Sequence, residues 1–214
     1  MHRVVIIVVF VSLAVQGAMG AAAQEASPAA EIDNPAPEEC TVAPRTEDEF
    51  RALFEDASSV ATPLASPEPG LLPAGEPVDD QTVDDINTVW RHYVACVNAG
   101  DLARAFALTS DQQLRRIFVY PEIDAASEDQ LIEIFMAPPS PLSSNMAVPF
   151  VPLEDARLLD DGRVAAVDPG ETGQRQVLIF IKVGDQWRFD DQFDLTQEGT
   201  PEAAAPPVSF ELYG

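Results

Sequence analysis

Basic residues are scarce in this chain, with 12 Lys and Arg standing against 36 Asp and Glu for a formal net charge of -24. Such a surface repels nucleic acid phosphates and anionic membrane surfaces, which excludes nucleic acid binding and disfavours membrane association. Histidine is limited to His2 and His92, and cysteine to Cys40 and Cys96. With one histidine beyond the first segment and both thiols in one pair, a zinc site of the usual ligand types cannot be assembled. A serine nucleophile in a Gly-x-Ser-x-Gly turn is missing. The acids Asp185, Asp190, Asp191 and Asp194 lack the one-three-five spacing of an EF-hand calcium loop, and they read as a solvated acidic strand and turn. No metal and no cofactor is expected. After the first two dozen residues no segment has the length and apolarity of a membrane-spanning helix, so no stable anchor is expected in the mature chain.

What is present begins with an export signal. Met1-His2-Arg3 is a short basic start, Val4 to Val15 is an uncharged apolar run, and Gln16 to Ala23 ends in small residues. That order is the one a signal peptidase reads, with cleavage expected after Ala23 or, alternatively, after Gly20. The apolar run is shorter than the roughly 20 residues that cross a bilayer. A lipoprotein signal would place cysteine directly after the small residues, whereas the first is Cys40. The mature protein is therefore expected in the secreted, extracellular or cell-envelope space. An even cysteine count in an exported chain reads as a Cys40–Cys96 disulfide, the alternative being two free thiols with one buried in a helix.

Residues 24–45 are rich in Ala, Pro and Glu with almost no large apolar side chain, which predicts a disordered acidic spacer. Thr46-Glu47-Asp48-Glu49 is a capping box, and Phe50, Leu53 and Phe54 follow at helical spacing, predicting a short helix from Glu47 to about Ala57. Seven Pro and Gly residues between Ala61 and Pro77 predict an extended connection, so 46–77 is a short helix and linker. From residue 78 to 195 a folded domain is expected. Thr82 can cap a helix whose Val83, Ile86, Trp90, Tyr93, Val94 and Val97 form one stripe, and Gly100 stops it. Asp101 restarts a short helix. Two further capping boxes, Ser110 to Gln113 and Ser127 to Gln130, open two more, the last ended by Pro138-Pro139.

The period then changes from helix to strand. Ala156–Leu159 and Arg163–Val167 flank Asp160-Asp161-Gly162 as a hairpin, Gln174–Val183 carries a β-rich core, and Gly184-Asp185 turns the chain into Gln186–Phe193. An antiparallel meander is expected. Residues 196–214 read as a flexible acidic tail whose last apolar stretch, 208–213, can dock or add an edge strand.

A long amphipathic helix ending in Asn98-Ala99-Gly100-Asp101, an immediate short helix Leu102 to Leu108, and then polar Thr109-Ser110-Asp111 resembles the start of the nuclear transport factor 2-like superfamily, which includes ketosteroid-isomerase-like and SnoaL-like domains. The strands Gln176–Val183 and Trp187–Phe193 resemble its last two. The resemblance, which covers about 78–195, implies an α+β cone: a curved, mostly antiparallel sheet wrapped around the long N-terminal helix, with short helices and a pocket between them. Members include isomerases, cyclases and dehydratases as well as binding and scaffold domains, so the fold leaves the activity open. No general-base carboxylate and tyrosine pair of the enzymes can be matched here.

Asp191 is the sharpest candidate for chemistry. Strand alternation places it on one face with Trp187, Phe189 and Phe193, where a desolvated carboxylate can act as a base; the alternative is a bulge at Asp190-Asp191, or a strand passing the sheet edge, that turns both acids to solvent. His92 lies on the polar flank of the long helix and reads as a surface residue or, alternatively, as a catalyst. Trp90 and Tyr93 can line a pocket or fill the core. The sequence thus points to an exported, non-enzymatic binding domain whose pocket or sheet face takes a small apolar ligand or a partner protein. Alternatives are an isomerase or hydro-lyase with Asp191 as base, and a scaffold that forms a homodimer through its sheet.

Overall fold

The longest helix forms where apolar side chains recur every three or four residues. In the computed structural model, which describes residues 33–55, 70–118, 125–170 and 174–195, this is α2, Asp80–Asn98, burying Ile86, Trp90 and Val94 along one face. Its cap is Asp79, whose carboxylate accepts from the Thr82 backbone N–H, and not Thr82 as the sequence suggested. Either side chain can cap a helix, but the aspartate lies three residues earlier and lets the helix gain almost a turn. Gly100, at φ 64°, ends it in the left-handed conformation that glycine adopts without strain.

Four shorter helices share a second core. They are α1 (Glu47–Glu55), α3 (Leu102–Ala107), α4 (Asp111–Phe118) and α5 (Ala125–Phe135). Phe50, Leu53, Leu114, Ile132 and Phe135 are buried there together, with Phe135 lying 5.1 Å from the rings of both Phe50 and Phe106 and 4.7 Å from that of Phe118. The capping box that opens α1 is complete: Thr46 Oγ1 accepts from the Glu49 N–H at 3.3 Å, and Glu49 Oε2 accepts from the Thr46 N–H at 2.7 Å. Thr46→Ala removes one half of it and should lower stability by about 1 kcal/mol, read as a shifted midpoint in urea unfolding; an unchanged midpoint refutes the assignment. At Ser110 only half a box forms, because the Ser110 N–H is already given to the Phe189 carbonyl and Gln113 has nothing to reach back to. The last helix starts at Ala125, ahead of the expected Ser127.

Among the described residues the strands form a five-stranded antiparallel sheet in the order β1-β2-β3-β4-β5, so the chain is α+β. They are β1 (Glu76–Pro77), β2 (Glu154–Leu158), β3 (Val164–Asp168), β4 (Gln176–Val183) and β5 (Gln186–Asp194). The first was not anticipated: the tail end of the Pro-rich connection pairs with Arg157 and Leu158 at the sheet edge, where a proline lacking an N–H is tolerated. One sheet face packs on α2 through Val164, Ala166, Leu178, Phe180 and Phe189. The other gathers Leu159, Ala165, Val177, Ile179 and Phe193.

All described residues belong to one unit, Glu31–Gly214. The segment read as an export signal, most of the Pro-rich connection and the stretch read as a C-terminal tail with 208–213 lie outside the described residues. Residues 33–45 fall in the stretch read as disordered spacer, yet the structure ties them down. Cys40 is bonded to Cys96 of α2, Arg91 binds Asp33 at 2.7 Å and Glu39 at 2.8 Å, Arg104 donates to the Cys40 carbonyl, and Asn98 donates to that of Pro35. This segment is a strap held by a covalent bond and polar contacts, which a scan for apolar periodicity passes over. Among the described residues no helix is long and apolar enough to cross a membrane.

Candidate functional site

The pairing of β4 with β5 slips by one residue, Ile179 opposite Asp191 but Phe180 opposite Phe189, which leaves Asp190 as an inserted residue. A bulge of this kind reverses the alternation beyond it. Trp187 and Phe189 therefore turn to the α2 face, whereas Phe193 joins the opposite cluster, and the single aromatic face expected around Asp191 is split. Neither acid is released to solvent. Asp191 meets Arg116 Nη1 at 2.5 Å at the edge facing α4, and Asp190, fully buried, accepts from Ser110 Oγ at 2.5 Å and Arg163 Nη1 at 3.2 Å. Both carboxylates are therefore engaged by guanidinium partners rather than left open to a substrate.

Between α2 and the sheet the aromatic candidates pack on one another. Trp90 stacks on Tyr93 at 5.3 Å, and Phe189 lies 6.0 Å from Trp90, 5.6 Å from Tyr93 and 6.2 Å from Phe180. Trp90, Tyr93 and Phe189 thus build core, and burial pushes the Tyr93 phenol pKa up.

The concave feature lies outside that core. A cleft of about 580 Å³ is walled by Val42 to Arg45 of the strap, Thr88, Val89 and His92 of α2, Ala107 and Leu108 at the end of α3, and Asp185 to Arg188 at the β4–β5 turn. Trp187 and His92, two of the residues singled out from the sequence, meet here. The other four, Trp90, Tyr93, Phe189 and Asp191, do not line this cleft. Each wall is positioned by something already described: the strap by its disulfide, α3 by its Asp101 cap, and β5 by backbone bonds between Phe189 and residues 108 and 110.

The polar groups of the cleft are unequally committed. Arg45 is buried and donates to Asp111 Oδ1 at 2.7 Å and to the carbonyls of Phe106 and Thr109, so it serves the fold. Glu49 is spent on the α1 capping box, and the hydrogen bonds from the Thr46 backbone and side chain hold its pKa below the ordinary glutamate value. Asp85 accepts from Gln81. Arg188 lies about a quarter exposed, its side chain at 27%. Its Nε is buried without an acceptor among the described residues, and its ion pair is a 4.0 Å approach to the same Asp111 oxygen that Arg45 holds.

Arg45, Leu108 and Arg188 were not singled out from the sequence. Four segments far apart in the chain must converge before they share a wall, and the scarcity of basic residues was the one available hint. Among the described residues no three of His, Cys, Asp or Glu come together as metal ligands. No family model, curated protein or solved structure matches this chain.

Proposed function

We propose that this is an exported binding domain that holds a small apolar ligand in the cleft between the strap, α2 and the β4–β5 turn, without chemically altering it. The observation that carries the reading is the cleft itself: its volume of about 580 Å³ falls within the range of small-molecule sites, and Val42, Val89, Leu108 and Trp187 offer apolar contact beside a comparable share of polar and charged side chains. The arginine-paired state of Asp190 and Asp191 argues for binding over base catalysis. The disulfide supports export, since such bonds persist in oxidising compartments. The succession of long helix, short helices and antiparallel meander supports kinship with the nuclear transport factor 2-like cone, with α2 in the place of that family's long first helix.

A neutral apolar fluorophore, N-phenyl-1-naphthylamine, tests the reading. It should bind with one-to-one stoichiometry and rising fluorescence, and Leu108→Arg, which puts a long cationic chain into the cleft, should weaken it at least tenfold while the circular dichroism spectrum stays that of the parent. A parent protein that leaves the fluorophore dark, or a variant that binds it equally well, defeats the proposal.

A further inference from the structure

The geometry points to a carboxylate on that ligand: we infer that the cleft takes a small carboxylic acid with an apolar body, its carboxylate received by Arg188 and its hydrocarbon lying on Trp187, Val89 and Leu108. The inference rests on the cleft reading and adds the chemical class of the occupant.

Arg188 carries it. A guanidinium presents five donors in a planar fork, and when partly desolvated it is normally met by a carboxylate with good geometry. Arg188 has instead a buried Nε without an acceptor among the described residues and a 4.0 Å share of an Asp111 oxygen that Arg45 already holds at 2.7 Å. The Nη end of a guanidinium served, among the described residues, by nothing closer than a 4.0 Å ion pair has donors to spare, and an anion in the cleft can meet them there. The neighbouring Arg45 does not compete, because three hydrogen bonds already engage it.

The acids in the same walls oppose an anion, and their commitments decide how strongly. Glu49 accepts from Thr46 with both backbone and hydroxyl, and Asp85 accepts from Gln81 at 2.8 Å, so part of their charge is already met. Asp185 stands at the exposed β4–β5 turn, where water screens it. The apolar contribution comes from Trp187, whose ring already has Lys182 Nζ 5.5 Å from its centroid; a second cation is therefore not invited. In a chain of net charge -24, an arginine with spare donors in a concave wall, shared only loosely with Asp111 and Glu49, is a selective mark for an anion rather than a general attraction.

The experiment titrates the mature protein by calorimetry with three probes of one chain length: sodium decanoate, decan-1-ol and decylammonium chloride. Decanoate should bind at least tenfold tighter than the alcohol, with decylammonium weakest. Arg188→Gln should abolish the preference for decanoate over the alcohol, and Arg188→Lys should retain part of it. Circular dichroism and the urea midpoint of each variant, expected to match the parent, show that it is folded. Equal affinity for decanoate and the alcohol, or tighter binding of decylammonium, overturns the carboxylate inference and leaves the cleft reading standing. Failure of all three probes to bind overturns both.

Discussion

Replacing Arg163 by methionine is expected to cost about 3–5 kcal/mol of unfolding free energy, measured by urea unfolding at neutral pH, because it strands a charge where water cannot reach. Asp190 has no exposed surface, and the Arg163 side chain is 2% exposed. Without the guanidinium, the Asp190 carboxylate keeps only the Ser110 hydroxyl, which cannot offset the desolvation of a full charge. Arg163 experiences opposing pulls: burial works against its charge, while hydrogen bonds to Asp161 and then Asp190 outweigh that and hold its pKa above the ordinary arginine value. Asp190→Ala should therefore cost less than Arg163→Met, since Asp161, 2.7 Å from Nη2, still serves the guanidinium. The double variant Arg163→Met with Asp190→Leu should recover much of the loss, because an apolar pair avoids desolvation altogether. Losses that simply add in this cycle would show that the two groups are not coupled. What the network does for the fold is join three places, the start of β3, the bulge of β5 and the first turn of α4, at the point where the alternation of β5 reverses.

Opening the Cys40–Cys96 bridge is expected to cost about 4 kcal/mol, the loop-closure entropy of a 56-residue separation. Export makes its own prediction: intact mass spectrometry should find a chain that begins at Gln24 and weighs two hydrogens less than its reduced form, and a chain that keeps its first 23 residues refutes the expected cleavage. In urea, the paired Cys40→Ala and Cys96→Ala variant should unfold at a clearly lower midpoint than the parent, and reductant should shift the parent towards the variant without affecting the variant itself. Cys96 lies fully buried on α2, and Cys40 is 8% exposed, so the bond ties the strap to the core rather than to a surface loop. The strap also supplies Val42 to Arg45 to the cleft. If the cleft is a binding site as proposed, affinity for N-phenyl-1-naphthylamine should fall in the same variant under conditions where α2 and the sheet remain folded. A variant as stable as the parent would mean that the ion pairs of Arg91 and the hydrogen bond from Arg104 to the Cys40 carbonyl hold the strap unaided.

Local signals accounted for the elements that local physics governs. Phe50, Leu53 and Phe54 placed α1; Ile86, Trp90 and Val94 placed the buried face of α2; Asp161-Gly162 and Gly184 placed the two tight turns of the meander. Departures came where two local signals competed or where none exists. Asp79 and Thr82 are both competent caps, and only the packed helix shows which one is used. Glu76-Pro77 has no strand propensity and becomes β1 solely because β2 offers it an edge. Residues 33–45 have the composition of a spacer and are held by partners that are distant in sequence.

The sequence by itself determined the α+β class, the order of helices before an antiparallel meander, the acidic surface and the pairing of two cysteines, because propensity, period, net charge and cysteine count are properties of short segments or of composition. The tertiary structure alone decided the bulge at Asp190, the burial of Arg163 against it and the convergence of Trp187, His92, Leu108 and Arg188 on one cleft. A bulge depends on the register of two strands, a buried ion pair on the volume around it, and a cleft on four segments meeting, none of which is encoded in the neighbours of any one residue.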